Sequence, residues 1–398
     1  MFFIWKGRIL MAKLIFDPAG YTVTEGTESV ELLAKEFALL QFLYEHRGKA
    51  FSREQLLDRV WVLEYPVERT VDDHIYRLRK KLHRWGHVRI STIRGYGYSL
   101  SIAEPKGVDN PSMRDEEIQS AVTGLFEKYH LLGQGKSIIA LAAQHEVLGF
   151  EIDAFYRRYI RFLQADIKWF VETNELQPGE RLYGLLLILA GITSDSTRVL
   201  GYCETALKQG LLPPIQHREM EILNILEVYA DAGLPEKAIQ RFEQTRRVVE
   251  QDGLTGFVMP VALMEMYVHL VAGNWNEADQ TAARLERLLE KEPYIREIGR
   301  FGVLKGLRLL LEGREREAEQ CLDEGLEVLS MSLHMPLYLA AINQINLFLR
   351  RRYPESPLVH KFASLFEATE KEYHLLELRP AMEQCIMDTL SVETGKKE

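Results

Sequence analysis

Gly233, Gly273 and Gly313 are spaced by 40 residues, and so are Ala238, Ala278 and Ala318. The segments Ala232–Ala238, Ala272–Ala278 and Glu312–Ala318 lie between apolar runs of helical period. A glycine at such a point ends one helix with a tight turn. The alanine five residues on lets the next helix approach its neighbour closely. Three pairs in one register are not coincidence, and weaker echoes at the same period lie near Thr193 and Tyr353. A single helical hairpin cannot bury its own apolar face, so consecutive hairpins must stack. From Asp115 onward apolar residues recur every three to four positions without β-like alternation, although residues 116–190 carry no clear repeat signature.

The chain has 398 residues, 46% hydrophobic and 27% charged, which predicts two or three globular domains. Net charge is -9, so the protein is not uniformly basic. Yet residues 1–105 hold 16 Lys/Arg against 13 Asp/Glu, and residues 69–94 hold 8 Lys/Arg against Asp72 and Asp73. A local basic patch on an acidic chain fits a DNA-binding module attached to something else. Cys203, Cys321 and Cys385 are far apart and form no CxxC pair, which predicts reduced thiols in a cytoplasmic protein. No run is read as approaching the ~18 apolar residues of a membrane span. The first residues read as an extension over 1–12, not as a signal peptide, with Met11 an alternative start.

The basic patch sits in a segment of mixed structure. Lys13–Phe16, Tyr21–Thr24 and Ser29–Leu32 alternate between apolar and polar, with turns at Asp17–Gly20 and Glu25-Gly26, and read as short antiparallel strands. Lys35–Arg47 reads as a helix ended by Gly48. Ser52 with Gln55 predicts a capping box that opens a helix through Trp61. In Arg69–Leu82, Val71, Ile75, Leu78 and Leu82 form one apolar stripe, with a cationic face opposite. Arg89–Leu100 reads as a β-hairpin whose glycines permit the turn. Three helices followed by a hairpin make a winged helix-turn-helix.

This segment resembles the OmpR/PhoB-type DNA-binding domain. The resemblance rests on Lys35–Leu40, Ser52–Leu57, Val60-Trp61, Arg69–Asp72, His74-Ile75, Arg77–Leu82 and Thr92–Tyr98, which follow the family's order and cover about a quarter of the chain. It implies a recognition helix in the DNA major groove. Thr70, Asp73, His74 and Arg77 would lie over base edges or flanking phosphates, while Arg69, Arg79 and Lys80 would clamp phosphates. Lys81 falls on the same cationic face. Arg94 would reach into the adjacent minor groove, Trp61 would pack near the DNA backbone, and the Leu63–Glu68 loop would be offered to RNA polymerase. Asp73 departs from the family, many of whose members carry an apolar residue there. Its carboxylate would accept from cytosine N4 or instead neutralise Arg69 or Arg77.

The second half resembles a tetratricopeptide-type solenoid with a period longer than the usual ~34 residues. The predicted fold is therefore mainly α: an α+β winged helix-turn-helix over 13–103, a linker over 104–114 rich in proline and polar residues, and an all-α repeat domain over 115–395. This domain order is similar to that of SARP-type activators. Such arrays bind peptides or protein segments, and Asn224, Tyr229, Tyr267, His269 and Asn343 are candidate groove residues.

Gly133–Ser137 ends like a phosphate-binding loop, but His130 stands where the pattern needs glycine, and helix-like sequence precedes it. It reads as a helix–helix turn. No HExxH, ligand cluster, GxSxG or supported Cys/His site is present, so no metal, cofactor or catalytic residue is assigned and no enzyme is expected. The reading is a cytoplasmic bacterial transcription regulator, an activator in preference to a repressor. It binds double-stranded DNA as a homodimer or tandem pair on repeated half-sites and recruits RNA polymerase, and its repeats sense a ligand or protein partner. Only about a dozen residues precede the first strand. Control is therefore expected from the repeats and not from a phosphorylated receiver. The alternative is an interaction scaffold in which the repeats dominate and the winged helix is a protein-binding or purely architectural module.

Overall fold

The computed structural model describes residues 14–25, 28–61, 67–102 and 110–391. The expected extension 1–12, the turn residue Gly26, most of the Leu63–Glu68 loop, most of the 104–114 linker and residues 392–395 lie outside the described residues. Internal contacts divide the chain into two units. One runs to Leu125 and takes in Lys136–Asp153; the other holds Phe126–Gly135 and the chain from Ala154 onward.

The first unit opens with an antiparallel meander, β1 (Ile15–Asp17), β2 (Thr22–Glu25) and β3 (Glu28–Glu31). Phe16 pairs with Val23 and Val23 with Val30, so one face of the pleat points to the core. On the other face the Thr24 and Ser29 hydroxyls lie 2.9 Å apart. Next come α1 (Ala34–Glu45), β4 (Ala50–Ser52), α2 (Arg53–Val60), α3 (Arg69–Leu82), β5 (Val88–Ile93) and β6 (Gly97–Ile102). The predicted capping box opens α2: Gln55 N donates to Ser52 Oγ at 3.1 Å, and Ser52 N donates to Gln55 Oε1 at 2.9 Å. Leu39, Leu40, Leu43, Leu56, Val71 and Ile75 are fully buried in one core.

Sequence reading missed β4, which pairs with β6 and makes the wing a three-stranded sheet in the order β4-β6-β5. This pairing explains Gly97. A Cβ there would lie 2.1 Å from the Phe51 carbonyl oxygen, closer than any side chain allows. Helix α4 (Glu116–Leu131) then leads through Gly133, at φ +71°, into α5 (Gly135–Ala142) and α6 (His145–Leu148). The phosphate-loop-like segment is thus a turn between helices.

The second unit is all-α. Its helices are α7 (Ala154–Leu163), α8 (Ile167–Glu172), α9 (Pro178–Ile192), α10 (Ser196–Lys208), α11 (Pro214–Glu219), α12 (Ile225–Asp231), α13 (Pro235–Ile239), α14 (Phe242–Gln251), α15 (Val258–Ala272), α16 (Trp275–Lys291), α17 (Ile295–Leu311), α18 (Glu315–Met331), α19 (Met335–Arg352), α20 (Pro357–Glu372) and α21 (Leu375–Ser391). One turn of π-helix, Met220–Asn224, joins α11 to α12.

The 40-residue register has a common geometry. Gly233, Gly273 and Gly313 have φ of +77°, +81° and +75°. After each, the next amide reaches back five residues: Leu234 to Tyr229 at 2.8 Å, Asn274 to His269 at 2.9 Å, and Arg314 to Leu309 at 3.1 Å. Ala238, Ala278 and Ala318 are fully buried. The echoes at Thr193 and Tyr353 lack this turn, since both residues have negative φ.

These helices close on themselves. α9 packs on α10, α10 on α12, α12 on α15, α15 on α17, α17 on α19, and α19 on α9. Polar side chains link helices across this ring. Glu227 of α12 accepts from Gln344 of α19 and lies 3.8 Å from Arg300 of α17. Tyr267 of α15 donates to Asp231 of α12, and Asn343 of α19 donates to the Thr193 carbonyl at 2.9 Å. Four of the five candidate groove residues therefore have partners inside the unit, with Asn224 donating to Tyr183 and Tyr229 to Glu204. Thr255–Ala272 is long and apolar enough to cross a membrane by composition, a stretch the sequence reading overlooked. It ends in α15, whose residues Met259 and Val261–Leu270 are buried against neighbouring helices, as in a core helix.

Candidate nucleic-acid interface

Helix α3 separates two kinds of side chain. Val71, Ile75 and Leu78 are fully buried and Leu82 nearly so, which fixes the helix against the core. At 100° per residue, Arg69, Asp73, Tyr76, Arg77, Lys80 and Arg84 point away from that stripe. All six are exposed. Tyr76 is 68% exposed and was absent from the sequence-based set. An aromatic ring on an apolar-patterned helix reads as core unless its angle to the stripe is counted.

The remaining expected site residues lie on the flanks. Thr70 is half-buried, and its carbonyl accepts from His74 Nδ1 at 2.7 Å. The His74 ring stands edge-on to Trp61, 5.0 Å between centroids. Trp61 is 4% exposed and belongs to the core. Arg79 is turned to the wing: Nε and Nη2 donate to the Ile90 carbonyl at 2.9 and 2.7 Å, and Nη2 donates to Thr92 Oγ1 at 2.7 Å. Lys81 donates to Glu36 Oε2 at 2.7 Å and to the Glu31 carbonyl at 3.2 Å. Arg94 is half-buried at the start of the turn that joins β5 to β6. Arg69, Asp73, Arg77 and Lys80 thus share one exposed face, while Arg79, though exposed, and the half-buried Lys81 are hydrogen-bonded to other elements of the domain.

Two polar groups that sequence reading did not assign hold this arrangement. The Asp72 carboxylate accepts from Arg53 Nε at 2.8 Å and from Tyr98 OH at 2.6 Å, both on Oδ1. It thereby joins α3 to α2 and to β6. Burial, followed by the bond to Asp72, pushes the Tyr98 phenol up to about 12. Glu36, with a side chain only 1% exposed, accepts from Lys81 and from the Leu33 amide at 3.0 Å. Burial raises its pKa, but those two donors outweigh it and hold the carboxyl below its usual range.

Residues 26–100 match the family described as "Transcriptional regulatory protein, C terminal". The N-terminal domain is an OmpR/PhoB-type winged helix. Over 95 residues the chain is 47% identical to the phosphate regulon transcriptional regulatory protein PhoB of Escherichia coli, covering 23% of this chain and 42% of that one. It is 39% identical to the transcriptional regulatory protein VxrB of Vibrio cholerae over 94 residues, 23% of this chain and 37% of that one. It is 36% identical to the response regulator protein PmrA of Pseudomonas aeruginosa over 99 residues, 25% of this chain and 43% of that one. The chain spans about two fifths of the length of these curated relatives. Within the winged helix, α3 carries the exposed cations Arg69, Arg77 and Lys80 on one face, and the β5–β6 turn is the wing.

Proposed function

We propose that the protein is a DNA-binding transcription regulator whose helical unit receives a signal. The observation that carries this reading is the exposed row Arg69, Asp73, Tyr76, Arg77 and Lys80 on α3, beside a wing that carries Arg94, in an OmpR/PhoB-type domain. In this reading α3 lies in the major groove. Arg77 and Asp73 read base edges, with Asp73 accepting from cytosine N4. Arg69 and Lys80 hold phosphates, and Arg94 enters the minor groove. Tyr76 adds a hydroxyl for a phosphate or base edge and a ring face for a thymine methyl. Thr70 and His74 form the groove-side flank. Arg79, Lys81 and Trp61 act through contacts within the domain that fix the pose of α3 and the wing.

The regulator works in the cytoplasm as a homodimer on repeated half-sites, and activates by offering the Leu63–Glu68 loop to RNA polymerase. The second unit takes the regulatory place. Support for this comes from its 40-residue register of helical hairpins, which resembles tetratricopeptide arrays, although the packing of α19 on α9 closes the row. The test is selection of bound fragments from genomic DNA with the purified full chain, with and without cell extract. Enrichment of a repeated motif supports the reading, and a shift in affinity with extract supports sensing. No enrichment over bulk DNA overturns it.

A further inference from the structure

The helical unit carries a groove that DNA binding does not use. α14, α15 and α16 meet around two cavities of about 410 and 500 Å3, which share Arg246 and Arg284 and so adjoin. Each has the size of a small-molecule pocket. The smaller is walled by Val249, Val258, Val261 and Leu288. The larger is lined by His269, Gln280, Thr281 and Arg287, with Glu265 and Glu277.

The larger cavity holds more cationic than anionic groups, and its buried polar atoms without a hydrogen-bond partner are Glu265 Oε1, His269 Nδ1 and Arg284 Nε. Three guanidinium groups, those of Arg246, Arg284 and Arg287, face two carboxylates. The Glu265 carboxylate is buried and already engaged, with Arg246 Nε 2.8 Å from one oxygen and Arg284 Nη2 donating to the other. His269 is only 8% exposed, and its Nδ1 has no hydrogen-bond partner; nor has the buried Nε of Arg284. Burial lowers the pKa of His269, so the ring is neutral near pH 7. Unpartnered buried polar groups are costly; Arg284 Nε is a donor, and His269 Nδ1 is one in the tautomer that carries its proton there, so an acceptor that reached them would be held firmly. An anionic oxygen meets that need on the polar side, and hydrocarbon meets the valine and leucine wall on the other.

We propose that this groove binds a small aliphatic carboxylic acid, its carboxylate among Arg287, Arg284 and His269 and its hydrocarbon among Val249, Val258, Val261 and Leu288. The proposal deepens the sensing role above. Its test is binding without DNA, so its failure leaves the DNA-binding reading untouched.

The experiment is isothermal titration calorimetry of the full chain with 4-methylpentanoate. The comparison probes are 4-methylpentan-1-ol, 4-methylpentylamine and an acetylated tripeptide ending in free leucine. The acid is expected to bind with a Kd below about 1 mM, and the alcohol and amine about tenfold or more weaker. Arg287→Ala, a change at an exposed side chain, is expected to weaken the acid about tenfold and leave the alcohol unchanged. Glu265→Gln removes the competing carboxylate and is expected to tighten the acid. Equal binding of acid and alcohol, unchanged acid affinity in Arg287→Ala, or binding of the tripeptide without the free acid would each overturn the proposal.

Discussion

The Tyr98 hydroxyl donates to Asp72 Oδ1 at 2.6 Å, and that bond ties the wing strand β6 to the half-buried flank of helix α3. Arg53 holds the same oxygen at 2.8 Å and lies over the Tyr98 ring, 5.3 Å from its centroid. The pose of the exposed face thus depends on residues that never reach it. Tyr98→Phe keeps the packing and removes the donor. It is expected to cost about 1–2 kcal/mol, seen as a lower denaturant midpoint with unchanged slope. An unchanged midpoint would show that the bond contributes nothing.

Lys80 and Lys81 are adjacent but have different tasks. Lys81→Ala leaves the Glu36 carboxylate buried without its ammonium and is expected to destabilise the winged helix by about 2 kcal/mol. Because Glu36 has a lowered pKa in the fold, its contribution is full above the unfolded value of 4.5 and is lost as pH falls through the folded one. The penalty of Lys81→Ala should accordingly shrink on the acid side. Lys80→Ala is expected to leave stability unchanged and reduce the salt slope of DNA binding by about one. Melting curves at several pH values and anisotropy titrations separate the two.

Asp231 lies in the ring interior, where burial and then the nearby Glu227 raise its pKa. A carboxyl raised on folding binds its proton more tightly in the native state. Its effect on stability is constant below the unfolded pKa of 3.8, declines as pH rises above that value, and levels off above the folded pKa. Asp231→Asn keeps an acceptor for Tyr267 and removes that slope. The stability of the variant relative to the natural chain is therefore expected to grow as pH rises from the acid range toward neutrality. Parallel curves in urea unfolding across that range would refute the assignment.

Tyr76 stands on the exposed face, one helical turn from Asp73 on one side and from Lys80 on the other. Tyr76→Ala is expected to weaken binding to the selected site by about 1–2 kcal/mol and leave non-specific DNA binding unchanged. Equal loss on both DNAs would make it a general backbone contact instead.

How much of this was legible varies with the physical cause. The bounds of α3 were readable to the residue, because Val71, Ile75, Leu78 and Leu82 repeat at helical spacing and all four are buried. The α2 capping box was readable because both partners are local. β4 was not, since Ala50–Ser52 is too short to alternate and exists only through its pairing with β6. Arg79 read as a phosphate clamp and Lys81 as part of the cationic face because sequence shows charge but not what lies beside it; the Ile90 carbonyl and Glu36 are long-range partners. The 40-residue register was visible because its glycines need positive φ, whereas the closure of α19 on α9 leaves no local mark.

The central claim is that the exposed face of α3 binds DNA, and its most direct test is the salt dependence of affinity for a selected genomic fragment. The natural full chain is compared with Arg77→Ala/Lys80→Ala, whose changed side chains are both exposed. The natural chain is expected to lose affinity steeply with salt, and the double variant to bind more weakly with a log–log slope smaller by about two. Unchanged affinity and slope in the double variant would contradict the account.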